Sequence, residues 1–458
     1  MDLKNKKVLV FGSGKSGIAA AMLLEKKGAK PVIYDGNDKL NEEDIRNKLK
    51  NKYCIDAADV KIVLGEFPDE LYDEIDMAVL SPGIPCDLPV VEKIREKKIE
   101  IIGEIELAYM TGKGKVLAIT GTNGKTTSTT LLGEIMKAAC KEVYVVGNIG
   151  NPYTEVSYMQ TENAVTVAEI SSFQLETIKS FHPYASAITN ITPDHLNRHH
   201  TMEEYIRVKE RIAENQTPDE ICVLNYEDEV LREFGKTLKC RPVYFSSARP
   251  VENGMYYKDG AIYLAENNKA GLFVRTDELH LLGLHNFENI MTAALMALFA
   301  GVDIDTVRSV TKAFKGVAHR IEFVCEKDGV RYYNDSKGTN PDAAIKGIQA
   351  MNRPTLLIGG GYDKQSTYEE WINSFDNKVK KLVLIGQTKD KIADAAEKCG
   401  FPSEDIVKCE NLAEAVAFCK KEAESGDAVL LSPACASWGQ FDNYEQRGDM
   451  FKKLAFEG

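Results

Sequence analysis

No run of about eighteen apolar residues occurs in the 458-residue chain, so no segment could cross a membrane as a helix. Met1 to Lys7 are polar and lead straight into an expected strand, so no apolar signal segment is expected. The ten cysteines (Cys54, Cys86, Cys140, Cys222, Cys240, Cys325, Cys399, Cys409, Cys419, Cys435) contain no C-x-x-C pair and none is spaced with histidine as a zinc site requires. They read as reduced thiols of a soluble, cytoplasmic protein. Basic residues are in deficit, 57 against 69 acidic ones, and the net charge of -12 argues against a nucleic-acid or anionic-membrane surface. Internal repeats and low-complexity segments are also missing, which leaves an ordinary globular chain.

The length exceeds what one hydrophobic core organises, so two or three domains are expected. Short β-branched runs alternate with helical patterns almost throughout, the mark of α/β units with parallel sheets. The pattern restarts twice. The first module holds strands at Val8 to Phe11 and Pro31 to Tyr34 around a helix from about Ser16 to Lys27, and closes near Met110. After the Thr111 to Gly114 linker, a second module has strands at Val116 to Ile119, Glu142 to Val146, Ala164 to Ala168, Ala185 to Thr189 and Ile221 to Leu224. Gly254 to Arg275 reads as small β-hairpins inserted beside them, and a helix from about Asn286 to Ala300 follows. The third module starts after Gly316, with strands at Ile321 to Cys325, Thr355 to Ile358, Leu382 to Ile385 and Ala428 to Leu431. The expected division is 1–111, 112–316 and 317–458.

Gly12-Ser13-Gly14-Lys15-Ser16-Gly17 is a G-x-G-x-x-G between strand and helix, with Asp35 at the end of the next strand, which satisfies the dinucleotide fingerprint in form. The same physics serves any diphosphate, because glycines let backbone N–H groups and a helix N-terminus approach the anion. Ser81-Pro82-Gly83 is another strand-end turn that could close that site.

The second glycine loop is more specific. Thr120-Gly121-Thr122-Asn123-Gly124-Lys125-Thr126-Thr127 joins a strand to a helix, where Lys125 and backbone amides would hold β- and γ-phosphates and the Thr126 hydroxyl would ligate Mg²⁺. Two further strand ends, Glu169-Ile170-Ser171-Ser172 and Asn190-Ile191-Thr192-Pro193-Asp194-His195, supply a carboxylate for Mg²⁺ and a histidine for a second divalent ion. Taken alone, such a histidine is more often structural, and His199 and His200 are read as structural or solvated.

These segments, together with Leu284-His285-Asn286-Phe287-Glu288-Asn289, resemble the Mur ligase pattern over essentially the whole chain. Asn334-Asp335-Ser336-Lys337-Gly338-Thr339-Asn340-Pro341 and Leu431-Ser432-Pro433-Ala434-Cys435-Ala436-Ser437 resemble the branch of that family that adds D-glutamate to UDP-N-acetylmuramoyl-L-alanine. The resemblance implies three α/β domains: a Rossmann-like UDP-binding domain, a central P-loop-like ATPase domain with a parallel sheet, and a Rossmann-like C-terminal domain for the amino acid. It implies ATP and two Mg²⁺ ions, no NAD, and a monomer without nucleic-acid or membrane partners.

The resemblance also distributes roles. ATP would be held by Gly121, Thr122, Asn123, Gly124, Lys125, Thr126, Thr127, Asn289, Arg320 and Asp335. The UDP-substrate would be held by Gly14, Lys15, Ser16, Asp35, Ser81, Pro82, Gly83 and Asn148, and D-glutamate by Thr339, Lys364, Ser437 and Tyr444. Thr126 and Glu169 would serve one metal, His195 and a carbamylated Lys209 the other, and Lys125, His195 and Lys209 are the expected catalytic set. Lys209 falls in an expected helix from about Met202 to Asn215 with Tyr205, Val208 and Ile212 inward, and its plain alternative is a surface lysine paired with Glu204 or Glu210. Other readings stay open at this stage: a ligase of the same kind adding another amino acid, a nicotinamide dehydrogenase using the first loop, or a P-loop kinase.

Overall fold

A computed structural model describes residues 2–53, 55 and 60–457, so Cys54 lies outside the described residues; the other nine cysteines are free thiols. Three sheets organise the chain. The first contains β1 (Lys7–Phe11), β2 (Lys30–Asp35), β3 (Lys61–Leu64), β4 (Met77–Leu80) and β5 (Glu100–Gly103), ordered β3-β2-β1-β4-β5 with every neighbour parallel. A parallel strand covered on both faces must be apolar on both, and β1 shows it: Val8 and Val10 enter one core cluster, Leu9 and Phe11 the other.

The second sheet contains β6 (Lys115–Thr120), β7 (Val143–Gly147), β8 (Val165–Glu169), β9 (Ala185–Ile188), β10 (Ile221–Asn225), β11 (Arg241–Ser246), β12 (Gly254–Lys258), β13 (Ala261–Glu266) and β14 (Lys269–Arg275). Their order is β14-β13-β12-β11-β10-β9-β6-β8-β7. The segment Gly254 to Arg275, expected as small hairpins beside these strands, forms the hairpin β12–β13 and then β14, and these extend the sheet itself. Gly254 to Tyr256 pair in parallel with Tyr244 to Ser246 of β11, a strand the periodicity did not reveal because Arg241-Pro242 masks its start. Within the sheet, β13 runs antiparallel to β12.

The third sheet contains β15 (Glu322–Lys327), β16 (Val330–Asn334), β17 (Thr355–Gly360), β18 (Val379–Ile385), β19 (Ile406–Lys408) and β20 (Ala428–Leu431), ordered β15-β16-β20-β17-β18-β19. Only β15 pairs antiparallel to its neighbour. Compact units divide as Met1–Phe273 with Glu288–Val310, and Val274–Phe287 with Thr311–Gly458.

Each sheet has a place where the strand order reverses, and in open α/β sheets ligands bind outside the carboxyl ends of the strands at that place. The reversals lie between β1 and β4, between β6 and β9, and between β17 and β20. The loops that follow those strands are Gly12–Gly17 and Ser81–Gly83, Gly121–Gly124 and Thr189–His195, and Gly361–Lys364 and Ser432–Ser437. No described helix is long and apolar enough to cross a membrane.

The two tryptophans test the packing. Trp371 is 0% exposed in the core of the third sheet, whereas Trp438 is 54% exposed. Trp371→Ala should cost about 3–5 kcal/mol in the urea unfolding transition of the second unit, and Trp438→Ala should stay within about 0.5 kcal/mol of wild type.

Candidate functional site

In the first unit, the loop after β1 turns directly into the helix Lys15–Lys26, and a side chain at Gly17 would collide with the Gly12 carbonyl, so helix and strand approach as only glycine permits. Asp35 folds back onto this loop: its Oδ2 accepts from Ser13 N–H at 2.9 Å and from Ser13 Oγ at 2.7 Å. Partial burial alone would raise the Asp35 carboxyl, but the Ser13 hydrogen bonds and the Asn37 N–H hold it below the ordinary value. Gly14 and Lys15 are exposed and Ser16 is half-buried. Ser81 Oγ meets the Gly12 carbonyl at 3.4 Å, with Pro82 half-buried and Gly83 exposed beyond it. Lys15 Nζ reaches the Gly150 carbonyl at 2.5 Å, so the loop following β7, which carries Asn148, closes on the first glycine loop.

The loop after β6 is held from both flanks. Gly124 has a left-handed φ of 85°, and a side chain there would strike Asn289, which is 5% exposed and accepts from Ser128 Oγ at 3.3 Å. Asn123 is clamped by β9: its N–H donates to Asn190 Oδ1 at 2.9 Å and its carbonyl accepts from Asn190 Nδ2 at 3.1 Å. Thr122 Oγ1 lies 3.0 Å from the Tyr205 hydroxyl. Thr126 is half-buried and Thr127 buried in the first turn of the helix Lys125–Ala139.

Lys125 Nζ donates to the carbonyls of Gly121 at 2.9 Å and Thr122 at 2.8 Å. Lys209 Nζ donates to the same Gly121 carbonyl at 2.7 Å, with the Tyr205 ring 4.8 Å away, and Lys209 is only 2% exposed. Burial first, and then the Lys125 charge, lower its amine to about 7, against a weaker opposite pull from Asp194. A surface pairing with Glu204 or Glu210 is therefore excluded: Glu204 holds Arg207 at 2.6 Å, and Lys209 points inward. The helix carrying it is shorter than expected, an α-helix over Met202–Glu210 that tightens into a 3-10 turn at Arg211–Ala213.

Glu169 ends β8 beside β6, 1% exposed. Its Oε1 accepts from Asn148 Nδ2 at 2.7 Å, but Oε2 is buried without a hydrogen-bond partner among the described residues. An orphaned carboxylate oxygen is costly unless a cation or solvent meets it, and it suits a hard divalent ion. No cluster of three or more His, Cys, Asp or Glu that could hold a metal occurs among the described residues, so such an ion would share its coordination with phosphate oxygens and water. His195 is exposed, left-handed at φ 52°, and its ring lies 4.9 Å from that of Phe173 at a tilt of 55°. His199 is buried and bonded to Ser172 Oγ at 2.9 Å, whereas His200 is exposed beside Asp87.

The second unit has its own polar centre. Asp335 is 4% exposed and accepts from Ser432 Oγ at 2.7 Å; burial pushes its carboxyl up to about 7 against the pull of Ser432, Ile321 N–H and the exposed Arg320. Sequence reasoning missed Arg447, 1% exposed, which donates to Ser336 Oγ at 2.9 Å, the Ser336 carbonyl at 2.8 Å and the Cys435 carbonyl at 3.2 Å. Ser336 Oγ in turn donates to the Tyr444 carbonyl at 2.8 Å, drawing the 334–341 and 444 segments together. Thr339 is half-buried and Ser437 buried, while Lys364 is exposed with its ammonium 5.4 Å from the Trp438 ring. Ser437 and Lys364 lie in the loops after β20 and β17, which the Tyr362–Ala436 bridge joins.

Comparison with known proteins agrees across the whole length. Residues 6–103 match the family model for the Mur ligase MurD-like N-terminal domain, 119–297 the Mur ligase middle domain, and 319–435 the Mur ligase glutamate ligase domain. A UDP-N-acetylmuramoylalanine–D-glutamate ligase of Lachnoclostridium phytofermentans is 52% identical over 453 residues, covering 99% of this chain and 98% of that protein. One of Lachnospira eligens is 52% identical over 99% of both. In fold, a UDP-N-acetylmuramate–alanine ligase of Thermotoga maritima superposes with TM-score 0.57 at 18% identity over 98% of this chain and 99% of that one. MurF of Acinetobacter baumannii gives 0.60 at 15% over 98% and 93%.

The buried Lys209 amine has a measurable consequence. Its ordinary value is 10.5, and burial with the Lys125 charge lowers it to about 7 in the folded chain. Between those values the unfolded chain binds more protons, so stability rises with pH there, and below about 7 the full penalty of a buried ammonium stands. In carbon-dioxide-free buffer without nucleotide, the urea midpoint of wild type should climb from about pH 7 to about pH 9, and Lys209→Met should flatten that rise. An unchanged slope in the variant would place the amine in water.

Proposed function

The chain belongs to the Mur ligase family, and from that premise we propose that it joins D-glutamate to UDP-N-acetylmuramoyl-L-alanine by an ATP-driven amide-forming reaction of peptidoglycan precursor synthesis. The observation that carries the nucleotide half is the convergence of Lys125 and Lys209 on the Gly121 carbonyl, at the strand-order reversal of the second sheet. The activity named for its full-length relatives supports the choice of amino acid.

In this reading the three expected segments, 1–111, 112–316 and 317–458, are the UDP-, ATP- and amino-acid-binding domains. Gly14, Lys15, Ser16, Asp35, Ser81, Pro82, Gly83 and Asn148 hold the UDP-substrate. With ATP assigned to the separate loop after β6, and with the family match, the first glycine loop takes the uridine diphosphate of the substrate rather than NAD. Gly121 to Thr127, Asn289, Arg320 and Asp335 bind ATP. Thr339, Lys364, Ser437 and Tyr444 bind D-glutamate, with the Lys364 ammonium matched to a substrate carboxylate. The enzyme acts as a cytoplasmic monomer without nucleic-acid or membrane partners.

Thr126 and Glu169 would hold one Mg²⁺, and His195 with carbamylated Lys209 a second; when bound, the ions offset the repulsion between carboxylate and triphosphate. A neutral, buried amine is the form that can take up CO₂, which is why the low Lys209 value supports the carbamate. The L-alanyl carboxylate attacks the γ-phosphorus, ADP departs, and Lys125 stabilises charge on the transferred phosphoryl group. The D-glutamate amine then attacks the acyl phosphate carbonyl. Its tetrahedral adduct loses a proton and expels inorganic phosphate to leave the amide.

Phosphate release is expected only when ATP, UDP-N-acetylmuramoyl-L-alanine and D-glutamate are all present. Sustained release without the UDP-substrate would indicate a plain ATPase instead. Lys125→Ala should lower turnover by about 10²-fold or more without unfolding the protein, and near-normal turnover would remove the loop from phosphoryl transfer.

A further inference from the structure

Arg198 lies outside every group assigned above, yet its side chain, from the short helix Leu196–His199, ties the turn after β4 to the end of the helix Ser172–Leu175. Nε donates to Glu176 Oε1 at 3.1 Å and Nη2 to Glu176 Oε2 at 2.6 Å, and Nη2 also donates to the Ile84 carbonyl at 2.8 Å. Both members of the ion pair are only 12% exposed. A two-pronged arginine–carboxylate pair fixes direction as well as distance. Removing the arginine would leave a shielded carboxylate and a backbone carbonyl without their main donor.

Each end of this clamp is continuous with an assigned segment. Ile84 closes the turn that begins at Ser81, its N–H donating to the Ser81 carbonyl at 3.0 Å. On the other side, the Arg198 backbone N–H donates to the His195 carbonyl at 2.9 Å. The guanidinium lies 5.0 Å over the Phe173 ring, and that same ring packs 4.9 Å from the His195 imidazole. His195 adopts φ 52°, a conformation that a non-glycine residue keeps only when its surroundings impose it. Glu176 directly follows the helix Ser172–Leu175, whose Ser171 cap belongs to the loop after β8. The nucleotide loop makes no direct bond to Arg198; Asn190, Tyr205 and Thr192 hold it, Thr192 exchanging two hydrogen bonds with Thr122.

We propose that Arg198, through its pair with Glu176 and its bond to Ile84, is a positioning residue that sets the spacing between the Ser81–Ile84 turn and the His195 corner. It thereby seats the UDP-substrate carboxylate relative to the phosphoryl donor. The proposal rests on the assignment of Ser81 to Gly83 and of His195 made above. A displacement of this kind penalises most the substrate whose two ends it separates, because the nucleotide loop is held by Asn190 and Thr192 ahead of His195 and by Tyr205 beyond it, not by Arg198.

The test compares Arg198→Met, Arg198→Lys and Glu176→Gln with Ser81→Ala in steady-state assays, with ADP affinity by calorimetry as a readout that needs no turnover. Arg198→Met should raise the KM for UDP-N-acetylmuramoyl-L-alanine and lower kcat, by about 10- to 100-fold in kcat/KM. The ATP KM and the ADP affinity should stay within about twofold of wild type. Arg198→Lys should fall between, because an ammonium can meet Glu176 but cannot hold the fork and Ile84 together. Glu176→Gln keeps the shape if Arg198→Met fails to fold, and should repeat the selective rise. Parallel loss of ADP affinity and UDP-substrate affinity, or no change in either, overturns the positioning role. A normal UDP-substrate KM in Ser81→Ala overturns the substrate assignment itself. A raised value there with normal values in the Arg198 and Glu176 variants overturns the clamp alone.

Discussion

One carbonyl oxygen, that of Gly121, receives hydrogen bonds from two lysine side chains, Lys125 at 2.9 Å and Lys209 at 2.7 Å. Two like charges converging on one acceptor repel strongly where water is scarce. The protein relieves this partly by holding the Lys209 amine near neutrality, and the remainder calls for an anion at the loop. Glu169 meets the same constraint from the other side: its Oε2 is a buried acceptor with no protein donor among the described residues. In the function proposed above, the loop with its two lysines and the one unmet oxygen of Glu169 would receive a triphosphate and its metal.

The arrangement depends on strand register more than on the loop itself. Ile119 pairs with Glu169 on one side and with Ala187 on the other, so β6 brings the glycine loop, the carboxylate and the Thr189–His195 segment to one edge. Thr189 and Asn190 then fix the loop from β9, and Tyr205 fixes it from the helix that also carries Lys209. The first and third sheets repeat the logic at their own order reversals. Three sheets of similar build thus present different side chains at one end of each.

Much of this was legible in the sequence because it follows from local patterns. Strands such as Val8 to Phe11 and Leu356 to Ile358 are apolar on both faces, and the glycine loops follow them directly. Lys209 was half legible: Tyr205, Val208, Lys209 and Ile212 occupy positions i, i+3, i+4 and i+7, so the spacing already put the lysine on the inward face. Only its charge made a surface pairing plausible, and burial at 2% exposure settles the matter. Pairings between distant segments left no local trace. Arg447 reaches Ser336 across 111 residues and Arg198 reaches Ile84 across 114, and no spacing rule announces either. The joining of Gly254 to Arg275 onto the second sheet was hidden for the same reason, since a hairpin pattern does not say which edge receives it.

The state of the Lys209 side chain is where the electrostatic account can be tested directly. The protein is equilibrated with ¹³C-labelled bicarbonate at a pH above the low amine value, and its ¹³C spectrum is compared with that of Lys209→Ala prepared identically. The account predicts a carbamate resonance in the wild-type protein that disappears in the variant, because a buried neutral amine beside Lys125 gains by becoming an anion. A wild-type spectrum without that resonance, together with a Lys209 amine that titrates as an ordinary exposed lysine, would contradict it.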